Sequence, residues 1–505
     1  MTGLLTLFLV FGLGLSEMQA GGASGLQLTA QAEEEILIFG DSPEADGAGG
    51  NQTAPDQGAG GWWSAEALRF SGFAEVYGAN DLHSDPGNEN EQALWGRVRA
   101  ELAYSLPDAD RPGLAGPGPG RRYLVLSGEA DYLWFGPDES RDDRDLEIEE
   151  AYLNWGQGPL QLRLGRQLVR WGKTDEISPV DVLNTQDTRL LTLFEREERK
   201  LPNWMLRARL FLEAATLEGV YIPFFREGKF DYFGTDWAFF RHMKQDVRDS
   251  DLPPDFKAYF ADVGVDEAEP ADTLSSGSAG GRISTTVQAV DIGLSYFYGF
   301  DPRPHVESFP VKNFSLGGAL DPEDLEQGPG GIVLTPEDIE TEYRRSQMLG
   351  LEFETTAGDF GLRGETAYFD ARTFLTDDLS SLERPSVFSV LGLDYLGRQD
   401  WYANLQLLHQ HIVNHRETML YVERDNWGLA WELSREFFRG RTELGLDGLY
   451  FLSDDSYSFN PWLSLELITA LEMEIGLDVF GGSEDTLLGQ YDRSDQAYVK
   501  LRYSF

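Results

Sequence analysis

The chain has 505 residues, with 41 Lys and Arg against 86 Asp and Glu, hence a formal charge of -45, and no cysteine. That much negative charge repels polyanions and argues against nucleic-acid binding, while the missing thiols exclude disulfides and thiolate metal centres. Aromatics make up 12% of the residues and glycine occurs 55 times, yet overall hydropathy is mildly polar, which suits a wall with one apolar and one wetted face.

The only long apolar run, Leu4 to Leu15 (LLTLFLVFGLGL), is shorter than the roughly 20 residues of a spanning helix and has the size of a signal-peptide core. Residues 1–20 are read as a signal peptide, with cleavage after Ala20 or as late as Ala32, although no Lys or Arg precedes the core. Residues 33–66 are acidic and Gly-rich around the patch Ile36 to Phe39. They read as a flexible periplasmic segment, and the patch leaves contact with a periplasmic partner open.

From Leu68 onward the pattern has period 2, and eighteen strands are expected, with sixteen as the alternative. They fall near 68–78, 92–104, 122–135, 145–156, 159–168, 203–213, 214–222, 281–288, 290–300, 345–357, 359–372, 386–398, 400–413, 420–437, 441–452, 456–468, 470–480 and 495–505. Connections after even-numbered strands are tight, as in GQG at 156–158, AGD at 357–359 and ITA at 468–470. Those after odd-numbered strands are longer, above all 169–202, 223–280 and 301–344. The Pro/Gly-rich 105–121 and the short SDD at 453–455 break this rule. Alternating short and long connections are the pattern of a transmembrane antiparallel up-and-down β-barrel, whose two ends face different compartments. The barrel is assigned to 67–505.

Placing the apolar positions toward lipid fixes the opposite face as the lumen. Arg69, Arg97, Arg99, Arg163, Arg207 and Arg209 then point inward as a basic arc on the early strands. Glu443, Asp447, Glu466, Glu472, Glu474 and Asp478 form an acidic arc on strands 15 to 17. Such a lumen would be water-filled and would filter or orient small polar and amphiphilic solutes by charge.

Two outer loops are candidates to narrow the pore. One follows LRLGRQLVRWGKTDEISPVDVLNTQDTR, Leu162 to Arg189. The other carries Trp237, Phe240, Met243 and Val247 at near-helical spacing, for which a helix folded into the mouth and a cap over the rim both fit. The first stretch, GRQLVRWGKTDEISPVDVLNTQD, followed by LPNWMLRARLFLEAATLEGVYIPFF, resembles the Gram-negative outer-membrane proteins grouped as domain of unknown function 1302. There a GRQ strand leads to a WG turn and a DVLN-like segment. The resemblance covers Leu160 to Phe225 in detail and implies an outer-membrane barrel without naming a substrate.

Catalytic and metal sites are not expected. His409 and His411 share a lipid-side face with Trp401, Leu405 and Leu407, where no carboxylate is expected beside them or His415, and neither GxSxG nor HExxH occurs. Asp175, Glu176, Asp181 and Asp187 lack EF-hand spacing and read as a solvated acidic loop. No cofactor motif is found. The last stretch, DQAYVKLRYSF, alternates and stops on an aromatic, so Tyr503 and Phe505 are expected to face lipid and to signal to the barrel assembly machinery. The chain as a whole reads as an exported outer-membrane channel for a small-molecule solute, contacting outer-membrane lipid. The alternative is a plugged barrel acting as a receptor or as a partner in lipid or polymer export.

Overall fold

A computed structural model of the chain describes residues 67–83, 92–106, 122–136, 141–175, 177–190, 199–238, 240, 244, 247–248, 250–251, 254–308, 338–377, 380–397 and 400–505. The expected signal peptide and the acidic 33–66 segment lie outside these residues, as do Met243 and Glu176.

Eighteen strands form one sheet that closes on itself. In chain order they are β1 (Leu68–Asp81), β2 (Gln92–Ser105), β3 (Arg122–Gly136), β4 (Arg141–Gln157), β5 (Leu160–Gln167), β6 (Asn203–Phe211), β7 (Thr216–Ile222), β8 (Ser278–Val287) and β9 (Val290–Phe300). The second half comprises β10 (Arg345–Ala357), β11 (Phe360–Leu375), β12 (Ser381–Leu396), β13 (Trp401–Ile412), β14 (Asp425–Phe437), β15 (Thr442–Phe451), β16 (Tyr457–Ile468), β17 (Leu471–Gly481) and β18 (Gln496–Ser504). Each strand pairs antiparallel with its sequence neighbours, and β18 pairs with β1 from Phe73 opposite Ser504 to Asp81 opposite Gln496. Closure leaves no unpaired edge, which is what a sheet in hydrocarbon requires.

Every strand expected from periodicity is present. Three starts differ by four residues or more: β4 begins at Arg141, not near 145, and β12 at Ser381, not near 386, while β14 begins at Asp425, not near 420, because Tyr421 takes a φ of 59° and Met419 bridges Thr376, so the chain turns before it can extend. The outward positions form an apolar exterior, for example Val76, Val98, Leu124, Leu164, Leu206, Leu294, Leu351, Leu391, Leu405, Leu446 and Leu477, all exposed. A bilayer covers such a band. On β18, Val499, Leu501 and Tyr503 lie in this exterior, and Phe505 follows them; its ring stacks on Phe70 at 5.6 Å while its amide and carbonyl bond Gly72 at 2.9 Å each.

The long connections fold inward. Strands Val265–Ala268, Ile339–Glu342 and His305–Ser308 make a three-stranded sheet that ties the connection after β7 to the one after β9. Helix α1 (Pro254–Ala261) belongs to the former. Trp237, Phe240, Val247 and Phe260 are buried in one apolar cluster with the wall residues Tyr77, Trp95, Phe135, Phe388, Phe451 and Phe480. Trp237 lies 5.8 Å from the Phe480 ring and 5.4 Å from that of Tyr491, in the connection after β17. The half of the barrel nearer the long connections is therefore packed with loops and apolar on its inner face. This differs from the uniformly water-filled lumen expected from sequence.

Candidate functional site

The connection after β5 runs inside the barrel and reaches the far wall. Its first residue is held by the strand before β5, since the Leu168 amide donates to Glu150 of β4 at 2.9 Å, and the connection is tied to itself by Asn184, which accepts from the Val169 amide at 2.9 Å and donates to the Leu201 carbonyl at 2.9 Å. Trp171, fully buried, donates its indole N–H to Glu218 on β7 at 2.7 Å, and Glu218 also receives Arg207 of β6 at 2.8 Å. Two glycines in the wall make room. A Cβ on Gly280 would stand 2.8 Å from the Trp171 ring, and one on Gly350 would stand 2.6 Å from Val180.

The far end is fastened by Glu365 of β11, a buried carboxylate. Its Oε1 receives the Thr174 amide at 2.7 Å and the Lys173 amide, and lies 2.8 Å from the Thr174 hydroxyl; its Oε2 receives the Ser178 hydroxyl at 2.7 Å. Gly172 lets the chain turn here with a φ of +102°. Next to this knot, Asp175 pairs with Arg363 and receives Asn404 at 3.0 Å, Lys173 pairs with Glu354 at 3.1 Å, and the Ile177 amide donates to Gln406 at 3.2 Å. Asp181 pairs with Lys200 at 2.6 Å and Asp187 with Arg189 at 2.8 Å. Of the acids expected as a solvated loop, Asp175, Asp181 and Asp187 are thus paired inside the barrel, Asp175 with a cation of the far wall and the other two with cations of the same connection.

Between this loop and the rim of tight turns is a cavity of about 790 Å³. Four of the sequence-predicted residues, Arg99, Arg163, Arg207 and Arg209, line it together with Arg170, Lys173, Arg282, Arg363 and Arg502. Acids are interleaved: Glu101, Glu150, Glu218 and Glu352 line the same space. Arg163 donates to the Tyr123 hydroxyl at 3.0 Å and Arg209 to Gln161 at 2.8 Å. Arg97 stands apart from the cavity lining, paired with Glu75 at 2.9 Å between the rings of Phe73 and Trp95, and Arg69 is exposed near the start of β1.

The acidic set faces inward on β15 to β17. Glu443 is buried, Asp447 accepts the Trp462 indole N–H at 2.9 Å, and Glu466 meets Arg441 at 3.4 Å. Glu472 accepts from Ser464, Glu474 pairs with Lys500 at 3.2 Å, and Asp478 accepts from Asn460 at 2.8 Å. In the ring, β15 stands half-way round from β6, whereas β17 is separated from β1 only by β18. The two sets are therefore opposed at one end and adjacent at the other. Sequence reasoning passed over Glu218, Glu352, Arg363, Glu365 and Gln406, although the same period-2 rule that turned Arg207 inward does so for them.

In the outer loops, burial and then the neighbouring carboxylates of Glu267 and Glu269 push Glu227 up to about 7, and Tyr343 bonds Glu267 beside it. At the rim, His409 and His411 do meet a carboxylate, contrary to the sequence reading: Asp425 Oδ1 lies 3.2 and 2.7 Å from their rings. The missing signal is cross-strand register, which sets Asp425 of β14 opposite His411.

Solved structures with a similar trace include OccAB4 of Acinetobacter baumannii, at 8% identity over 87% of this chain and 98% of that one, with a TM-score of 0.49. A mutant of Rh. blastica porin matches at 10% identity over 87% and 100%, with a TM-score of 0.36. These likenesses are too distant to carry a function, and no curated protein matches the chain. The family model described as protein of unknown function DUF1302 matches residues 74–437, and the chain belongs to that family.

Proposed function

We propose that this protein is an outer-membrane conduit for small polar or amphiphilic solutes, not a catalyst, and that the inward loop after β5 sets its narrowest point. The observation that carries this reading is the polar cavity of about 790 Å³ enclosed by the wall on one side and that loop on the other. A barrel that served only as a scaffold has no need to keep so many charges on its inner face away from apolar packing. Guanidinium and carboxylate groups side by side hold both ends of a zwitterion and pass it from pair to pair, which is the use proposed for the basic and acidic sets. Export to the outer membrane, insertion by the barrel assembly machinery and contact with a periplasmic partner complete the proposal.

A second reading, a plugged barrel acting as a receptor or as the outer-membrane partner of a lipid or polymer exporter, is favoured by the packing of Trp237, Phe240 and Tyr491 inside the wall. Planar-bilayer recording separates the two. The purified chain and a variant with 234–250 deleted are compared in KCl. Stepwise conductance in the intact chain supports the conduit, conductance in the deletion variant alone supports the plugged barrel, and none in either overturns the conduit.

A further inference from the structure

A second, smaller cavity lies on the other side of the loop after β5, away from the polar one. It measures about 190 Å³ and is walled by Phe224, Phe225, Phe297, Phe300, Met348 and Phe369, with Arg303 and Arg372 also lining it. Strict alternation along β11 would not bring Arg372 here. Opposite Phe369 stands Ser386 of β12, and opposite Arg372 stands Arg384, so β11 spends one residue more than its partner between the two pairs. That bulge reverses the phase of the strand and turns Arg372 inward, which is the known effect of a bulge on a side chain.

Arg372 is only 7% exposed, and its guanidinium carbon lies 3.8 Å from the centre of the Phe369 ring. Among the described residues it makes no hydrogen bond or ion pair, and its Nη1 is buried without a partner. The nearby acid, Asp301, acts on it through space, but its hydrogen bonds to guanidinium go to Arg303. Asp301 is held bidentately by Arg303, Nε to Oδ1 at 2.9 Å and Nη2 to Oδ2 at 2.5 Å, and takes the Thr373 amide besides. The other charges at the cavity are matched too, Arg226 by Glu147 and Asp181 by Lys200. Arg303 likewise has a buried Nη1 with no acceptor.

Among the described residues, two guanidinium groups thus share one carboxylate in an aromatic pocket, which leaves one positive charge over and unfilled donors on both. Desolvated cations in excess of their counter-charge are costly to hold, so an anion from outside the described residues is the economical solution. Its chemistry follows from the walls. The planar fork of a guanidinium matches a carboxylate, and the rings match an apolar body. An apolar cavity of about 150 Å³ holds benzene, so this one has room for a single ring or a short chain.

We propose that this cavity is a binding site for an aromatic or short-chain apolar monocarboxylate, received by Arg372 and Arg303. The site rests on the conduit reading for its route of entry and not for its chemistry. It is tested on the purified full-length chain in detergent by equilibrium dialysis with benzoate, benzyl alcohol and acetate. Benzoate is expected to bind about tenfold or more tighter than either of the others, since one lacks the charge and the other the body. Arg372→Met should lower benzoate binding to the level of benzyl alcohol, and Arg372→Lys should restore most of it. Folding of each variant is checked by heat-modifiable migration on gels, and the wild-type comparison alone decides if a variant does not fold. Equal binding of benzoate and benzyl alcohol, equal binding of benzoate and acetate, or unchanged benzoate binding in a folded Arg372→Met would each overturn the site. Conductance in KCl without benzoate tests the conduit separately.

Discussion

Glu365 is the point at which a single substitution should release the inner loop while leaving the wall intact. Its carboxylate accepts the amides of Lys173 and Thr174 and contacts the hydroxyls of Thr174 and Ser178. Glu365→Leu keeps much of the volume and removes every acceptor. A hydrogen bond to a charged group contributes about 1.5–3 kcal/mol, and each buried N–H left without a partner costs about 1–3 kcal/mol. The four contacts share one carboxylate and are not additive, so the docked loop should lose about 3–4 kcal/mol in all. At 1.4 kcal/mol per power of ten, the undocked population rises about 10²–10³-fold. Amide hydrogen exchange in detergent reads this directly. Protection at Lys173 and Thr174 should fall by that factor, protection in β10 to β12 should hold, and bilayer conductance should rise. Unchanged protection at the two amides, or loss of protection across the wall strands, would show that Glu365 does not act as the loop's tether.

A Cβ on Gly172 would lie 2.1 Å from Ser178 Oγ and 2.6 Å from Glu365 Oε1, at a φ of +102°. Gly172→Ala should weaken the same docking by about 1–3 kcal/mol, seen as lost exchange protection at 173–178 with an unchanged barrel denaturation midpoint. Because Glu227 is raised to about 7, its loop contact is strongest with the group protonated and weakens as pH rises toward that value. Protease access to 223–277 should accordingly grow between about pH 4.5 and 7 and level off above that. Glu227→Gln should keep the acid-side protection across the whole range, and a pH profile identical to wild type would count against the assignment. Phe505→Asp removes the ring that stacks on Phe70 and puts a charge in the lipid-facing exterior. Folded barrel in the membrane should drop while the barrels that do assemble conduct normally, and undiminished barrel levels would refute an assembly role.

Period-2 alternation by itself determined the wall. Along Leu471–Gly481, for example, one face must meet lipid and the other must not, and a one-residue slip exposes every wrong side chain at once. The same rule gave the inward direction of Arg163, Arg207, Glu474 and Asp478, since direction is a local property of a strand. Loop length gave the two ends. What alternation does not carry is what each inward group meets. Glu365 and Thr174 are far apart in the chain, and only closure of the ring brings β11 opposite the loop that leaves β5. The ion pair of Asp175 with Arg363 turned an acid from solvated loop into anchor for the same reason, whereas Asp181 finds Lys200 within its own connection. Packing of the outer half was hidden as well, because Trp95, Phe135 and Phe480 sit on the inward face where polarity is expected, and their partners Trp237 and Tyr491 come from connections with no strand period. The bulge that turns Arg372 inward is set by register against β12, a property of two strands that neither sequence segment holds alone.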